Sequence, residues 1–423
     1  MIKDMENDMD PSQYGNRPGV GINHYLIRLI DRILKATDNS SKKENIAVIC
    51  NLVDFSKAFD RQSPLLGIKS FIKNGVRPCL IPILISFFQN RRMVVKWHGT
   101  MSKERRLYGG GPQGSTMGIL EFLSLSNDKS QNVQEDDKYS FIDDLSLLEL
   151  INLTNIGMQS YNVRQHVPSH IPDHNQFIAA EKLESQKHLD ELSKWTDEHE
   201  MKLNPKKCKN IIFNFTNNHQ FVTALKVNNH ETETVKEAKL LGTIITEDLK
   251  WSRNTEEIVK SANKRLRILH VASKFTGKIS DLKIIYMMFI RSKLDSSSVV
   301  WHNSLTEKDI NSLERIQKAS VKIILKNNYK DYESALKMLN LDTLCERRRK
   351  QCLKFAKDCL KHEQMKKMFP INEKNSQLQT RHKETYKVNK ANTERYRQSA
   401  VPYFQRLLNE EEEIKFKEKK RYI

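Results

Sequence analysis

Apolar residues recur along this chain in two rhythms. Between residues 22 and 37 they fall at helical spacing, with Ile22, Tyr25, Leu26, Leu29, Ile30, Ile33 and Leu34 on one face. From Ile46 to Val53 they run almost unbroken, as in a strand buried on both sides. Leu65, Leu66, Ile68, Phe71 and Ile72 predict a helix that stops at Gly75. Leu80 to Phe88 predicts another, with Pro82 in its first turn, where a missing N–H costs nothing. Arg91 to Trp97 reads as a strand with basic ends, and Phe141 to Leu145 as two short apolar runs around the turn Asp143-Asp144. Residues 181 to 202 form an amphipathic helix, with Leu183, Leu189, Leu192, Trp195 and His199 on one side. Ile211–Phe215 and Lys239–Ile245 are read as further strands of the same antiparallel sheet.

After Asp248 the pattern turns helical. Thr306 with Asp309 is a helix start, followed by a stripe of Ile310, Leu313, Ile316, Ile323 and Ile324. Cys345, Cys352 and Cys359 repeat every seven residues, on one helix face with Phe355 and Ala356, which predicts a buried stripe. Strands first and helices after them give an α+β protein whose sheet is of the split βαβ kind.

Charge adds a partner to this picture. The 423 residues carry 71 Lys and Arg against 52 Asp and Glu, a net charge of +19, which favours a polyanionic partner. No basic helix with an aromatic-rich apolar face speaks for a membrane surface, and no apolar run approaches the ~18 residues of a spanning helix. The first residues lack the apolar core of a signal peptide, and six scattered cysteines read as reduced thiols, so the expected location is intracellular. Lys129 to Lys138 reads as a polar loop, with Glu135, Asp136 and Asp137 as its solvated tip. Residues 154 to 179 hold His166, His170 and His174 but no suitably spaced cysteine, so an insertion loop is expected rather than a zinc site. In the last helix Glu410 to Glu413 precede Lys415, Lys417, Lys419, Lys420 and Arg421, an order that suits the helix dipole and permits Glu411–Lys415 and Glu413–Lys417 pairs.

Candidate chemistry lies at two acidic stretches. Asp54 ends the apolar run Ile46–Val53, and Asp143-Asp144 form a hairpin turn. If the two elements share a sheet, three carboxylates converge. Their mutual repulsion is relieved by a cation, and hard divalent ions of the magnesium class prefer such oxygen ligands.

Between these stretches lies Pro112-Gln113-Gly114. The order Asp54 with Phe59, Pro112-Gln113-Gly114, Phe141-x-Asp143-Asp144, Asn204-Pro205-Lys206-Lys207 and Leu240-Leu241-Gly242 resembles the reverse transcriptase family, and most closely its non-LTR, LINE-like branch, over about residues 11 to 370. The resemblance implies a right-hand polymerase palm at 46–248, partial fingers at 1–45, a helical thumb at 249–370 and a charged helical tail at 371–423. It implies two magnesium ions, with manganese as the alternative, held by Asp54, Asp143, Asp144 and the Phe55 carbonyl. Phe59 would exclude a ribose 2′-hydroxyl, Gln113 and Gly114 would lie against the nascent pair, and Lys207, or else Lys206, would protonate the leaving pyrophosphate. Asp60 is expected to be structural. Lys260, Lys264, Arg265 and Arg267 would mark the thumb helix that holds the duplex.

The implied partners are an RNA template, a DNA primer and dNTPs. The family has further fingers sequence ahead of Gln13 to Arg17, so the resemblance also implies a chain truncated at its start. Two alternatives stay open: an inactive remnant that only binds nucleic acid, and another metal-dependent enzyme on the same carboxylates, a nuclease or an RNA-templated RNA polymerase.

Overall fold

The computed structural model describes residues 1–6, 8–38, 45–153, 176–216, 221–372 and 385–421. The chain forms two compact units: Met1–Tyr25 with Ser40–Lys236, and Leu26–Asn39 with Glu237–Ile423. His166, His170 and His174 lie outside the described residues.

The first unit is built on a five-stranded sheet. Its order is Glu233–Thr234, Lys209–Phe213, Ile46–Val53, Asp144–Asn152 and Lys138–Phe141, antiparallel except at the first pairing. The apolar run Ile46–Val53 takes the centre, because a strand with Ala47, Val48, Ile49 and Cys50 all buried needs cover on both faces and neighbours on both edges. Helices Thr116–Leu125 and Glu184–Glu198 supply part of that cover, placing Phe122, Leu125, Leu189 and Leu192 in one cluster with Ile49, Val53, Leu145 and Leu147. A second cluster joins Met5 and Met9 to Phe71 of helix Pro64–Lys73 and to Leu84 and Phe88 of helix Ile81–Phe88. Pro82 sits in the first turn of that helix, as its sequence requires. The opening residues reach the sheet edge: Tyr14 N donates to Ser140 O at 2.8 Å and Ser140 N to Ser12 O at 2.9 Å.

The second unit contains helices Ser252–Phe275, Glu307–Leu325, Leu344–Cys359 and Ala400–Arg421. Thr306 caps its helix as expected, accepting from Asp309 N at 3.2 Å. The end of helix Ile22–Asp38 belongs here too: Asp38 accepts hydrogen bonds from the backbone of Asn392 and Thr393 at 2.8 and 2.7 Å.

Five expectations are corrected. Lys239–Ile245 does not join the five-stranded sheet. It is a separate hairpin, Glu237–Leu240 with Thr243–Thr246, because Leu241 and Gly242 both take positive φ and turn the chain inside what reads as one apolar run. Lys129 and Lys138 are buried rather than part of a solvated loop, whereas Glu135 and Asp136 between them are exposed. Cys352 and Cys359 are buried but Cys345, in the first turn of its helix, is exposed. The hairpin turn falls at Ile142-Asp143 rather than at Asp143-Asp144, because Asp144 already pairs with Phe141. Glu411 pairs with Lys357, and Glu410 with Arg349 at 2.5 Å, while the Lys415 and Lys417 side chains lie outside the described residues. Among the described residues no helix is long and apolar enough to cross a membrane.

Candidate active site

Strand pairing brings the two acidic stretches together. Ile46–Val53 runs antiparallel to Asp144–Asn152 with Val53 opposite Leu145, and the same register carried one residue on sets Asp54 opposite Asp144. Directly opposed strand residues have Cα atoms about 4.5–5.5 Å apart. The hairpin closes in two residues, Ile142 and Asp143, between the paired Phe141 and Asp144.

Ile142 has φ +59°, a left-handed position that a β-branched residue adopts only under constraint. The constraint comes from residues the sequence reading passed over. Gln13 Oε1 accepts from both Ile142 N and Gly15 N at 2.9 Å, and Lys129 Nζ donates to Ile142 O at 3.1 Å. Gly15 lies so close that a Cβ there would fall 2.6 Å from the Ile142 side chain. In the sequence Gln13 stands only in the stretch Gln13 to Arg17 likened to the end of the fingers; no local pattern shows a contact across 129 residues of chain.

Lys129 is the other unforeseen member. Its ammonium lies 5.6 Å from the ring centroids of both Phe55 and Phe122. Burial pulls its pKa down to about 8, against the opposing pull of Asp10, Asp143 and Asp144. It is thus a buried cation behind an acidic turn.

The carboxylates show the electrostatics of a crowded site. Burial, then Asp143, then Asp54 push Asp144 up to about 6, with Lys129 opposing. Asp54 is also raised, first by burial and then by Asp143, while Lys207 draws it down. Lys207 Nζ stands 3.7 Å from Asp54 Oδ2, an ion-pair distance too long for a hydrogen bond, and that buried oxygen has no hydrogen-bond partner. The Asn204-Pro205-Lys206-Lys207 turn is fixed against Asp54 by Asn204 N donating to Asp54 O at 2.8 Å. Ser56 N donates to Lys202 O at 2.7 Å, and this bridge leaves the Phe55 carbonyl out of its bonds.

Phe59, Asp60 and Gln113 are each held by contacts of their own. The Phe59 ring packs on Phe122, centroids 5.4 Å apart, and its carbonyl accepts from Gly111 N at 2.7 Å. Asp60 holds the Pro-Gln-Gly loop, accepting from Gln113 Nε2 at 2.6 Å. Gly114 takes φ +79° with open space where a Cβ would go, so a backbone conformation rather than a close contact asks for glycine there. The loop leads into helix Thr116–Leu125, whose N-cap Ser115 accepts from Gly118 N at 3.1 Å. Beneath it, Glu121 is fully buried with neither carboxylate oxygen bonded, and burial pushes it up to about 7.

Hard oxygen donors, mutual repulsion and an unbonded Asp54 oxygen fit a divalent cation in kind and in charge. The side chains are not drawn into a preformed ligand cluster: among the described residues no group of three or more His, Cys, Asp or Glu is arranged to hold a metal ion.

An α+β protein with aspartates on adjoining strand ends, a buried lysine behind them and a glycine-rich loop beside them is the class these observations define. A 121-residue stretch, 28% of the chain, is 31% identical to the probable RNA-directed DNA polymerase from transposon X-element of Drosophila melanogaster, and spans 12% of that protein's length. The chain is therefore distantly homologous to a non-LTR reverse transcriptase, as its motifs led us to expect. No protein-family model matches it. Among solved structures, telomerase from Candida albicans in complex with a fragment of telomeric RNA superposes with a TM-score of 0.35 at 12% identity, over 84% of this chain and 54% of that one. Apo telomerase from Candida tropicalis does so with a TM-score of 0.38 at 12% identity, over 81% and 50%. Superpositions at these scores carry no argument about fold or function.

Proposed function

We propose that this chain is the RNA-directed DNA polymerase domain of a LINE-like element, with a palm at 46–248 and a thumb at 249–370. The observation that carries the reading is the strand register that pairs Val53 with Leu145 and so brings Asp54 beside the hairpin, where Asp143 raises the pKa of both Asp54 and Asp144. Magnesium bound there would supply the charge that lowers the barrier to attack by a primer 3′-hydroxyl and to departure of pyrophosphate. Asp54, Asp143 and Asp144 would hold that ion. Gln13 and Lys129 fix the turn that presents two of them. Lys207, exposed and within ion-pair reach of Asp54, turns to the leaving pyrophosphate and gives it a proton. Phe59, backed by Phe122, excludes a 2′-hydroxyl by bulk.

The test is primer extension on an RNA template with dNTPs and magnesium, comparing the wild-type chain with Asp143→Asn. Extension that disappears in the variant supports the site; extension that persists refutes it. A second reading, for which the net charge of +19 speaks, is that the domain binds nucleic acid without extending it. That reading expects salt-sensitive duplex binding in both proteins and extension in neither.

A further inference from the structure

Between helix Ile81–Phe88 and the Pro-Gln-Gly loop the chain makes a long two-stranded ribbon. Arg92–Met93 pairs with Arg105–Arg106, and Lys96–Trp97 with Thr100–Met101; every residue from 92 to 106 is exposed. Ser102 N donates to Val95 O at 2.9 Å and Leu107 N to Arg91 O at 2.8 Å, so the ribbon is continuous. Among the described residues it belongs to no larger sheet.

Three features of this ribbon work against its own stability. A two-stranded ribbon with neither face covered is marginal in water. Arg92 lies directly opposite Arg106, and like charges facing each other across strands are unfavourable; the exposed Arg92–Glu104 pair at 2.6 Å offsets little of that. Its large apolar side chains face solvent, with Trp97 73% and Tyr108 86% exposed. Six basic residues, Arg91, Arg92, Lys96, Lys103, Arg105 and Arg106, meet one acid, Glu104.

We propose that this ribbon docks single-stranded RNA. Arginines and lysines beside exposed aromatic rings, Tyr108 with Arg106 over it at 5.5 Å and Trp97 edge-on to His98 at 4.9 Å, suit a phosphate backbone whose unpaired bases can stack, whereas a duplex keeps its bases stacked inside. An anionic membrane is the poorer fit, because the apolar side chains are interspersed with charge and form no single face for insertion. The foot of the ribbon is tied to the candidate site. Arg91 donates to Gly109 O at 3.2 Å and to Gly110 O, Gly110 N donates to Gln62 O at 2.8 Å, and Gly111 N donates to the Phe59 carbonyl. A strand lying on the ribbon is thus led toward Phe59 and Gln113. The choice of RNA rests on the polymerase reading, in which the template is RNA.

The experiment is fluorescence anisotropy of the full chain with a labelled, unstructured 20-nucleotide RNA, a DNA strand of the same sequence and a DNA duplex. Trp97→Ala with Tyr108→Ala should weaken RNA binding about 10-fold and leave the duplex unchanged. Arg105→Ala with Arg106→Ala should lower the slope of log affinity against log salt by about 1.4. This second variant reads the surface independently if the first fails to fold. Unchanged RNA affinity in both folded variants overturns the proposal, as does a loss confined to the DNA strand. The polymerase reading stands or falls separately, on wild-type extension and its loss in Asp143→Asn.

Discussion

Two hairpins of the first unit invite comparison. The one that turns at Ile142-Asp143 is held from several sides: sheet pairing along Asp144–Asn152, Gln13 on its amide, Lys129 on its carbonyl, and Gly15 packed against it. The 92–106 ribbon is exposed at every residue and is tied at its foot by Arg91 to the carbonyls of Gly109 and Gly110. In the first hairpin an unfavourable φ and crowded charge persist because the surroundings over-determine them. In the second, unfavourable charge and exposed rings persist with nothing in the fold to require them. Strain inside a packed frame points to chemistry, and unneeded charge on a bare frame points to a partner.

The largest expected effect falls on the packed hairpin. Asp143→Asn should reduce primer extension on the order of 10³-fold while leaving the melting temperature close to wild type. A large loss of stability instead would show that the aspartate serves folding, and the comparison would break.

Glu121 sharpens it at the foot of the ribbon. In the folded chain this buried carboxyl keeps its proton to about pH 7, whereas its ordinary value is 4.5. Between those values the unfolded chain binds fewer protons, so stability falls as pH rises from 4.5 to 7 and stays lower above that. Glu121→Gln should therefore be more stable than wild type at pH 8, by up to ~3 kcal/mol, and little different at pH 4. Urea unfolding at the two pH values measures this; a difference that does not grow with pH refutes it.

Gln13→Ala removes the shared acceptor of two amides and should cost about 2 kcal/mol, with part of any extension activity lost as the turn loosens. The smallest effect belongs to the bare ribbon. Trp97→Ala with Tyr108→Ala should change unfolding free energy by less than about 0.5 kcal/mol, because neither ring is buried. A larger cost would mean that the ribbon does carry fold stability.

Much of the sheet was legible from residue order. Ile46–Val53 has a strand pattern that few other structures satisfy, and the short apolar runs around the aspartates named the hairpin, though its turn sits one residue earlier, at Ile142-Asp143. Lys129 was not legible, because a lysine in a polar stretch has the pattern of solvent exposure, and only the pairing of Phe55 and Phe122 around it makes a buried place. Leu240-Leu241-Gly242 misled for the opposite reason: apolar continuity hid a turn whose sign is backbone φ. The ribbon was half legible, as a basic-ended strand, but its solitude is a property of what fails to cover it.

Helix Ile22–Asp38 is divided between the two compact units, and this matters for synthesis. Leu29, Ile30, Ile33 and Leu34 are buried in a unit whose remaining residues begin at Glu237, 198 residues beyond Asn39. At ~5–20 residues per second a ribosome takes about 10–40 s to supply them. Through that interval the apolar side of the helix waits for the rest of its unit. For the same reason, a fragment cut before Glu237 keeps the sheet but carries a permanently sticky rod, and calls for a helix trimmed or repolarised at Leu29 and Ile33 before it is expressed alone.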